Sequence, residues 1–287
     1  MSSRVEVYPN EQVDEKLPLA LWWRQLQAIF RVEAKKNFFN RRAILLYLLA
    51  LNPSLIFIML IAFGSKRRLI DPVSIIQTFS EVYEGLILRV VIFFGCSWIF
   101  INLFRSEIVD KSLHYYFLTP VRRELLVIAK YFSGLLMASV IFSVTTLLCL
   151  FLIYFPRGYE ASMQHIFEGP GLNHILSYWG ISVLGCVGYG SIFLLLGVFF
   201  RNPILPATFF YCWELISFLL PPVLKKLTII HYLQSLTPIK LSEGPYAIVA
   251  EPLTPWVAIP SMFLLTAVVL VVTCLRVRRM EISYSNE

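Results

Sequence analysis

Five cysteines and four histidines are the side chains with the widest chemical range in this sequence, and their spacing argues against a metal or haem site. All five cysteines lie in apolar stretches without a C-x-x-C pair, so we interpret them as packing residues. They are Cys96, Cys149, Cys186, Cys212 and Cys274. The histidines form no H-x-x-x-H or H-E-x-x-H pair, which supports neither zinc nor haem. A phosphate-binding G-x-x-x-x-G-K-[ST] loop is also absent from the sequence, so we expect this chain not to hydrolyse ATP itself.

One acidic side chain stands near the middle of an apolar run. Glu214 interrupts residues 204–220, where a charged side chain costs about 2.5–3.5 kcal/mol on membrane-insertion scales unless it is paired or faces water. Two roles stay open for it, namely lining a polar pathway or forming a hydrogen bond between helices. Arg89 is a second charge in an apolar run, and it can snorkel or pair with Glu81 or Glu84.

The stretch EIVDKSLHYYFLTPVRREL, residues 107–125, places many charges between two apolar runs. Apolar and polar residues recur at helical spacing over residues 106–118, which predicts a short helix at the membrane surface. Thr119 and Pro120 then indicate a new helix start, because Thr is a favoured N-cap and Pro is favoured at the first helical position. The predicted short helix is suited to contact with another protein. An ordinary charged loop is the alternative, and it would not explain the break at Thr119-Pro120.

The composition predicts that the residues described above lie in or between membrane-spanning helices. The chain is 57% hydrophobic and 15% charged, with a mean hydropathy of +0.70, whereas soluble domains are about 45–50% apolar and about 25% charged. Six apolar runs approach the roughly 20 residues that a spanning helix needs, the fifth only narrowly. They are residues 43–63, 86–104, 125–155, 175–200, 204–220 and 256–275. We therefore predict an all-α membrane protein with six transmembrane helices in one domain, residues 43–275.

Residues 19–42 predict a helix of a different kind, preceded by a polar tail at residues 1–18. Its apolar and basic side chains fall on different faces at helical spacing. The aromatic and basic residues that we expect at the headgroup layer are Trp22, Trp23, Arg24, Arg31 and Lys35. This pattern predicts an amphipathic helix in the membrane plane, serving either as a basic anchor or as a surface that a partner protein contacts.

The bias of lysine and arginine sets the predicted orientation. With the amino terminus in the cytoplasm, seventeen basic residues fall on the cytoplasmic side and eight on the other. The first 18 residues lack the basic-then-apolar order of a signal peptide, so we expect this terminus to be retained. Both termini, including a basic tail at residues 276–287, are expected to be cytoplasmic. Lys66–Arg68 is a basic cluster on the opposite side.

Residues 107–130 carry a resemblance to a known family. The run Glu107, Ser112-Leu113, Leu118-Thr119-Pro120, Arg122-Arg123 and Lys130 resembles the cytoplasmic segment between the second and third helices of type-2 ATP-binding-cassette (ABC) transporter permeases. It departs from that family at Lys111-Ser112, where Gly-Thr is commoner. The basic, aromatic helix at 22–42 is similar to the family's amino-terminal interface helix. Six spans with both ends inside also match its usual permease.

The resemblance implies a coupling helix at residues 107–118 that docks on a separate ABC ATPase subunit. The residues implied in this contact and its flanks are Glu107, Asp110, Ser112, Leu113, Thr119, Pro120, Arg122 and Arg123. ATP and Mg²⁺ would be bound by that subunit, so this chain would be a permease without catalytic site, cofactor or metal of its own. Two permeases, identical or paralogous, and two ATPases would form an exporter in the cytoplasmic (inner) membrane, with membrane lipid but no nucleic acid as a further partner.

Two further features concern packing. The segment at residues 221–255 is semi-apolar and punctuated by proline, too broken to cross the bilayer. The type-2 permeases that this chain resembles place short re-entrant helices here, and a loosely packed external loop is the alternative.

Ser182, Cys186 and Gly190 form a small-residue stripe that permits close helix approach. We expect this stripe to pack against another helix of the same chain rather than against a second chain.

Two other functional classes stay open. A secondary carrier or channel would also be a basic multi-pass protein, but carriers usually show internally repeated halves, and the sequence shows no such repeat. A membrane-embedded enzyme would need clustered acidic, histidine or serine side chains within the spans. Glu214 stands nearly alone there, which disfavours the enzyme.

Overall fold

The computed structural model describes residues 19–39, 43–63, 72–109, 122–241 and 251–279. Within these ranges all regular structure is helical and no strand occurs. The all-α prediction is therefore confirmed for the described part of the chain. Five of the helices are long and apolar enough to cross a membrane, which is the construction of a multi-pass membrane protein.

The helices are numbered here in chain order. The first half contains α1 (Leu19–Phe39), α2 (Ala43–Phe63), α3 (Pro72–Val82), a π-helical segment (Tyr83–Ile92), α4 (Phe93–Val109) and α5 (Arg123–Tyr154). The second half contains a 3-10 turn (Phe155–Arg157), α6 (Tyr159–Phe167), α7 (Gly171–Phe199), α8 (Ile204–Leu215) with a 3-10 extension (Ile216–Leu219), α9 (Pro222–Lys225), α10 (Ile229–Ser235) and α11 (Pro255–Arg278). The candidate spans are α2, the continuous helix through α3, the π-helical segment and α4, and then α5, α7 and α11.

The second long helix begins earlier than the sequence predicts. The apolar run starts at Leu86, whereas the helix starts at Pro72. Polar residues such as Ser80 interrupt the apolar pattern, but they lie on a helix face that packs inward. The Ser80 hydroxyl is fully buried and shares a hydrogen bond with the Tyr178 hydroxyl on α7. A partner on another helix therefore explains why this polar segment continues the helix.

The fifth apolar run forms a shorter helix than the other five. It has 12 residues of α-helix and four of 3-10 helix, about 26 Å in all, against a hydrocarbon core about 30 Å thick. The helix ends where Leu220 turns extended (φ −75°, ψ 144°) before Pro221, because a residue that precedes proline avoids helical geometry. Five helices thus have the length and composition that the six-span prediction requires, and a spanning role for α8 stays a prediction.

The helix α7 lies at the centre of the bundle, whereas α2 and α11 lie at its edge. In the most apolar window of each helix, 78% of α7 residues are buried, against 28% for α2 and 22% for α11. Glycines allow α7 to approach α4 closely. A Cβ at Gly190 would lie 2.5 Å from the ring of buried Phe100, and one at Gly197 would lie 3.1 Å from the backbone of Ile101. The small-residue stripe that ends at Gly190 thus serves packing within the chain.

The last helix extends further than the predicted boundary at residue 275. It continues to Arg278, so the first residues of the predicted basic tail are helical, and residues 280–287 lie outside the described part. Basic residues in a last helical turn are favourable because they face the negative end of the helix dipole. The Arg276 guanidinium also lies 5.3 Å from the centre of the Phe199 ring on α7.

Candidate functional site

The helix α1 carries the residues predicted for the headgroup layer. The helix itself is confirmed over Leu19–Phe39, and residues 40–42 lie outside the described part. The side chain of Trp23 is 61% exposed, and Arg24, Arg31 and Lys35 are exposed as well. Trp22 belongs to the helix, but its side chain lies outside the described residues. The exposed face therefore carries an aromatic and three basic side chains, as the amphipathic pattern predicts.

The opposite face of α1 contains a buried charge that the sequence analysis missed. Glu33 is 1% exposed, and its Oε1 lies 2.8 Å from Nζ of Lys130 on α5, which is fully buried. Lys130 Nζ also donates to the Leu103 carbonyl oxygen at 3.1 Å and lies 5.4 Å from the centre of the Phe104 ring. One lysine thus links α1, α4 and α5 at the same point.

Lys130 is buried inside the protein, although it lies near the start of its helix. A lysine close to a helix start can snorkel, but here an acid on α1 neutralises it inside the protein. The signal for this pair was present in the sequence. Glu33 follows Ile29 and Phe30 at helical spacing, which places an acid on the inward face of α1. A single lysine stands opposite, in the apolar run of α5.

The segment predicted to contact a partner is only bordered by the described residues. Glu107 belongs to α4, which ends at Val109, but its side chain lies outside the described part. Asp110, Ser112, Leu113, Thr119 and Pro120 also lie outside it. Arg122 is exposed, and Nη1 of Arg123 donates to the Arg278 carbonyl oxygen at the end of α11, at 3.2 Å. The contact surface proper therefore stays a prediction.

The start of α5 corrects the predicted N-cap. The first helical residue is Arg123, and Arg122 occupies the N-cap position with extended geometry (φ −65°, ψ 132°). The Arg122 carbonyl oxygen accepts the first helical hydrogen bonds, from the backbone N–H groups of Leu125 and Leu126. Thr119 lies three positions before this cap and outside the described residues, so α5 does not begin at the Thr119-Pro120 pair. The Thr-Pro pattern thus predicts the start of α5 three positions too early.

At the other end of the bundle, Glu214 caps a short helix. Its carboxylate accepts hydrogen bonds from the backbone N–H groups of Ile229 (2.8 Å) and Ile230 (2.9 Å), the first two residues of α10. The Tyr189 hydroxyl on α7 donates to the same carboxylate at 3.3 Å. A carboxylate is favourable here because the first N–H groups of a helix have no partner within it. The inter-helix hydrogen bond, one of the two roles left open for Glu214, is therefore present, and a pathway role stays a prediction.

A second buried acid holds the other end of α10. Glu84, in the π-helical segment, accepts hydrogen bonds from Nε2 of Gln234 at 2.9 Å and Oγ1 of Thr237 at 3.1 Å. Its side chain is 7% exposed. Contacts to a distant segment thus engage Glu84, and both alternatives for Arg89, snorkelling and pairing with Glu81 or Glu84, stay predictions. Arg89 lines a small cavity together with Glu214. We call the contacts that Glu84 and Glu214 make with residues 229–237 the α10 clasp.

The α10 clasp determines the form of the loop between α8 and α11. Ile229, Ile230 and Leu233 are almost completely buried, and two short helices, α9 and α10, lie in this segment. The alternative of a loosely packed loop is therefore wrong for residues 228–237, whereas Val223 and Leu227 before them are 76% and 69% exposed. Whether these helices enter the membrane stays a prediction. Residues 242–250 lie outside the described part.

Hydroxyl groups join three long helices beside the clasp. The Tyr83 hydroxyl donates to the Tyr178 carbonyl oxygen at 2.8 Å, and the Ser182 hydroxyl lies 2.8 Å from Tyr83 and 2.9 Å from that of Thr146. All of these side chains are buried. Tyr83 also begins the π-helical segment, a geometry that is frequent at functional sites. Sequence patterns did not indicate this network, because isolated hydroxyl residues are common in membrane helices.

The described residues contain no group of three or more His, Cys, Asp or Glu side chains that could hold a metal ion.

Comparison with protein-family models, curated proteins and solved structures gives no match for this chain. The resemblance to type-2 permeases therefore rests on residues 107–130 and on the order of the helices.

Proposed function

We propose that this chain is the membrane-spanning subunit of an ABC transporter, and that it exports a substrate across the cytoplasmic membrane with ATP hydrolysed by a separate ATPase subunit. Two copies, or one copy and a paralogue, form the permease. Residues 107–118 form the coupling helix that the ATPase holds. The chain supplies no nucleotide site, cofactor or metal.

The observation that carries this proposal is the position of Lys130 in the motif at residues 107–130. The motif runs from the end of α4 into α5, and its last residue is bound to Glu33 of α1 and to the Leu103 carbonyl oxygen of α4. The two sequence features that resemble type-2 permeases, the interface helix and the coupling segment, are thereby joined in one unit. A chance match of the motif would not require this link.

The link also supplies a mechanism for coupling. Lys130 lies seven residues into α5, about 10 Å from the helix start, so a movement of the docking segment reaches the ion pair directly. Because α1, α4 and α5 share this lysine, they move together when the ATPase subunits close. A buried ion pair is well suited to this task, since separating its charges in an apolar surrounding is costly.

The α10 clasp fits a gate at the opposite end of the pathway. Its two carboxylates join α10 to α7, α8 and the π-helical segment. A displacement of α4 is transmitted through the continuous helix to Glu84. We infer that export requires release of α10 from at least one of the two acids.

A direct test is purification of the tagged chain in mild detergent from its own host, followed by mass spectrometry of the proteins that remain bound. An ATPase with a G-x-x-x-x-G-K-[ST] loop is expected at a one-to-one ratio. A chain that purifies without such an ATPase and still transports after cellular ATP is depleted would overturn the proposal.

The second candidate is a secondary carrier or channel. Two buried carboxylates, Glu84 and Glu214, favour it, because acids within membrane segments often form proton or ion pathways. Both carboxylates, however, already accept hydrogen bonds from α10 or from Thr237 beside it. The permease is therefore the better-supported function. Transport that follows the proton gradient and ignores ATP would favour the carrier.

A further inference from the structure

A groove on the outer surface of the bundle has the form of a lipid site. It lies between α2, α4 and the start of α8, with a volume of about 610 Å³, which is within the usual range of about 300–1,000 Å³ for ligand pockets. Leu45 and Leu48 line one wall, and Phe94 and Trp98 line the other. These four side chains are between 40% and 61% exposed. The groove is therefore largely apolar, with Asn52 and Ser97 as polar lining residues, and it is open at the surface of the bundle.

The groove carries a charged side chain at one end. Phe94, Trp98 and Arg105 line it from the same face of α4, and the 12 residues from Phe94 to Arg105 extend about 16 Å along the helix. One leaflet contributes about half of a hydrocarbon core that is about 30 Å thick. The groove is thus as long as one leaflet is deep. Its arginine lies near the end of α4, where headgroups are expected.

The end of the groove at Arg105 carries positive charge. Arg105 makes its hydrogen bond to the Arg201 carbonyl oxygen, which also brings the start of α8 to this place. A smaller adjoining cavity shares Leu46, Trp98 and Asn102 with the groove and adds Lys36 of α1. Among the described residues that line either cavity, none is Asp or Glu. An anionic group is the complement of this end.

We propose that the groove binds one anionic glycerophospholipid, with an acyl chain along Leu48 and Phe94 and the phosphate at Arg105. The guanidinium has five N–H donors and binds phosphate oxygens well. Asn102 and Lys36 line the smaller cavity that adjoins this end of the groove, where the proposed headgroup lies. A second copy of this chain is a poorer occupant, because a two-fold contact through this face would bring the cationic ends of both copies to the same depth. The lipid site does not depend on whether transport uses ATP.

The test is native mass spectrometry of the full-length protein with equal amounts of phosphatidylglycerol and phosphatidylcholine of identical acyl chains. The wild type should retain one phosphatidylglycerol in preference to phosphatidylcholine. Arg105→Gln should lower this preference about fivefold or more, because one basic side chain near an anionic headgroup contributes about that factor. Lys226→Gln is the matched control, since Lys226 is an exposed lysine at the end of α9 and does not line the groove. It should leave the preference unchanged.

A second variant and a second measurement separate the remaining outcomes. Ser97→Phe fills the groove without changing charge and should lower retention of both lipids. A photo-crosslinking amino acid at position 48 should capture phosphatidylglycerol in intact membranes, which avoids any effect of the variants on folding. Equal retention of the two lipids by the wild type, or equal losses in Lys226→Gln and Arg105→Gln, would overturn the proposal. So would crosslinks from position 48 to a second copy of the chain in place of lipid.

Discussion

Lys130 Nζ lies 2.8 Å from Glu33 Oε1, and both side chains are buried. The lysine belongs to a long apolar helix and the glutamate to an amphipathic helix 97 residues earlier in the chain. The ammonium group also donates a hydrogen bond to the Leu103 carbonyl oxygen and lies over the face of the Phe104 ring. The helix α1 is therefore held to the bundle by a charge pair as well as by its apolar face.

Removing one partner of this pair should destabilise the protein more than removing both. Lys130→Met leaves the Glu33 carboxylate buried without its cation, a change that costs about 3–5 kcal/mol in comparable buried pairs. The double variant Glu33→Leu with Lys130→Met should recover most of this loss, because neither buried charge of the pair remains. Thermal unfolding in detergent measures both. The control Lys35→Met, at an exposed position of α1, should change stability by less than about 0.5 kcal/mol. A double variant less stable than Lys130→Met would contradict the ion-pair account.

Amphipathic spacing predicted α1 and its exposed basic face correctly, but it did not predict what α1 packs against. Periodicity reports which side of a helix is inward, whereas the partner of that side depends on the tertiary arrangement. Neither Glu33 nor Lys130 alone indicates a buried ion pair, because each is recognised only when its partner is known. The same limit applies to Glu84 and Glu214, whose donors lie in a loop that sequence patterns describe as irregular.

Glu214→Leu should loosen α10. The substitution removes the acceptor of the Ile229 and Ile230 backbone N–H groups and of the Tyr189 hydroxyl, and each unsatisfied buried group costs about 1–3 kcal/mol. Glu214→Gln should be milder, since its carbonyl oxygen still accepts one of these bonds. Limited proteolysis of residues 220–250 and thermal unfolding measure the effect. Glu251→Leu, at an exposed position before α11, is the control. Unchanged proteolysis in Glu214→Leu would show that the clasp does not hold α10.

If Glu214 also lines the pathway, Glu214→Gln should insert and assemble normally while it alters transport or substrate-stimulated ATP hydrolysis. This outcome separates a functional carboxylate from a structural hydrogen-bond acceptor, because the amide keeps the shape but not the charge. Transport assays in vesicles, together with the yield of assembled complex, provide the measurement. Wild-type transport by Glu214→Gln would leave only the structural role.

Gly190→Ala should disturb the contact between α4 and α7. The new Cβ would lie 2.5 Å from the Phe100 ring, which is fully buried and has little room to move, and overpacking of this kind costs about 1–3 kcal/mol. Gly180→Ala, on the same helix, is a matched control because nothing lies within 4 Å of its added Cβ. Thermal unfolding compares the two variants directly. Equal stability of both would mean that α4 and α7 do not pack through Gly190.

Apolar runs located five long helices, and the first one, Ala43–Phe63, agrees at both ends. The run that ends at Leu220 shows where composition misleads. Its residues are apolar enough to span, but Pro221 and Pro222 stop the helix while it is still short. Conversely, Pro72–Glu84 is too polar to be recognised as part of a span, yet hydrogen bonds to other helices compensate its polar groups.

The predicted orientation can be tested with single cysteines in a cysteine-free background. Arg122→Cys should react with a membrane-impermeant thiol reagent only from the cytoplasm, and Lys226→Cys only from outside, because the positive-inside bias places them on opposite faces. Both positions are exposed. Labelling of intact cells and of inverted vesicles provides the two measurements. Reaction of both cysteines from one face would contradict a topology with a spanning α8.

Pro120→Ala should reach the membrane normally and lose transport. Without the proline, the predicted short helix at residues 107–118 can continue toward α5 and turn its docking face away, because Pro is what discourages continuity. Membrane abundance and transport in vesicles are the two measurements. A Pro120→Ala protein with wild-type transport would show that the break has no part in coupling.

Retention of an ATPase by the purified chain is the most direct measure of the proposed role as an ABC permease subunit. We expect the wild type to retain an ABC ATPase subunit in mild detergent, and Glu107→Lys to lose it while reaching the membrane at normal levels. A desolvated charge contact across an interface contributes a few kcal/mol, and reversal adds repulsion. Glu160→Lys is the matched control, an exposed acid of α6 outside the 107–130 segment, and it should retain the ATPase. A Glu107→Lys protein that keeps the ATPase and transports normally would show that residues 107–125 are only a charged loop.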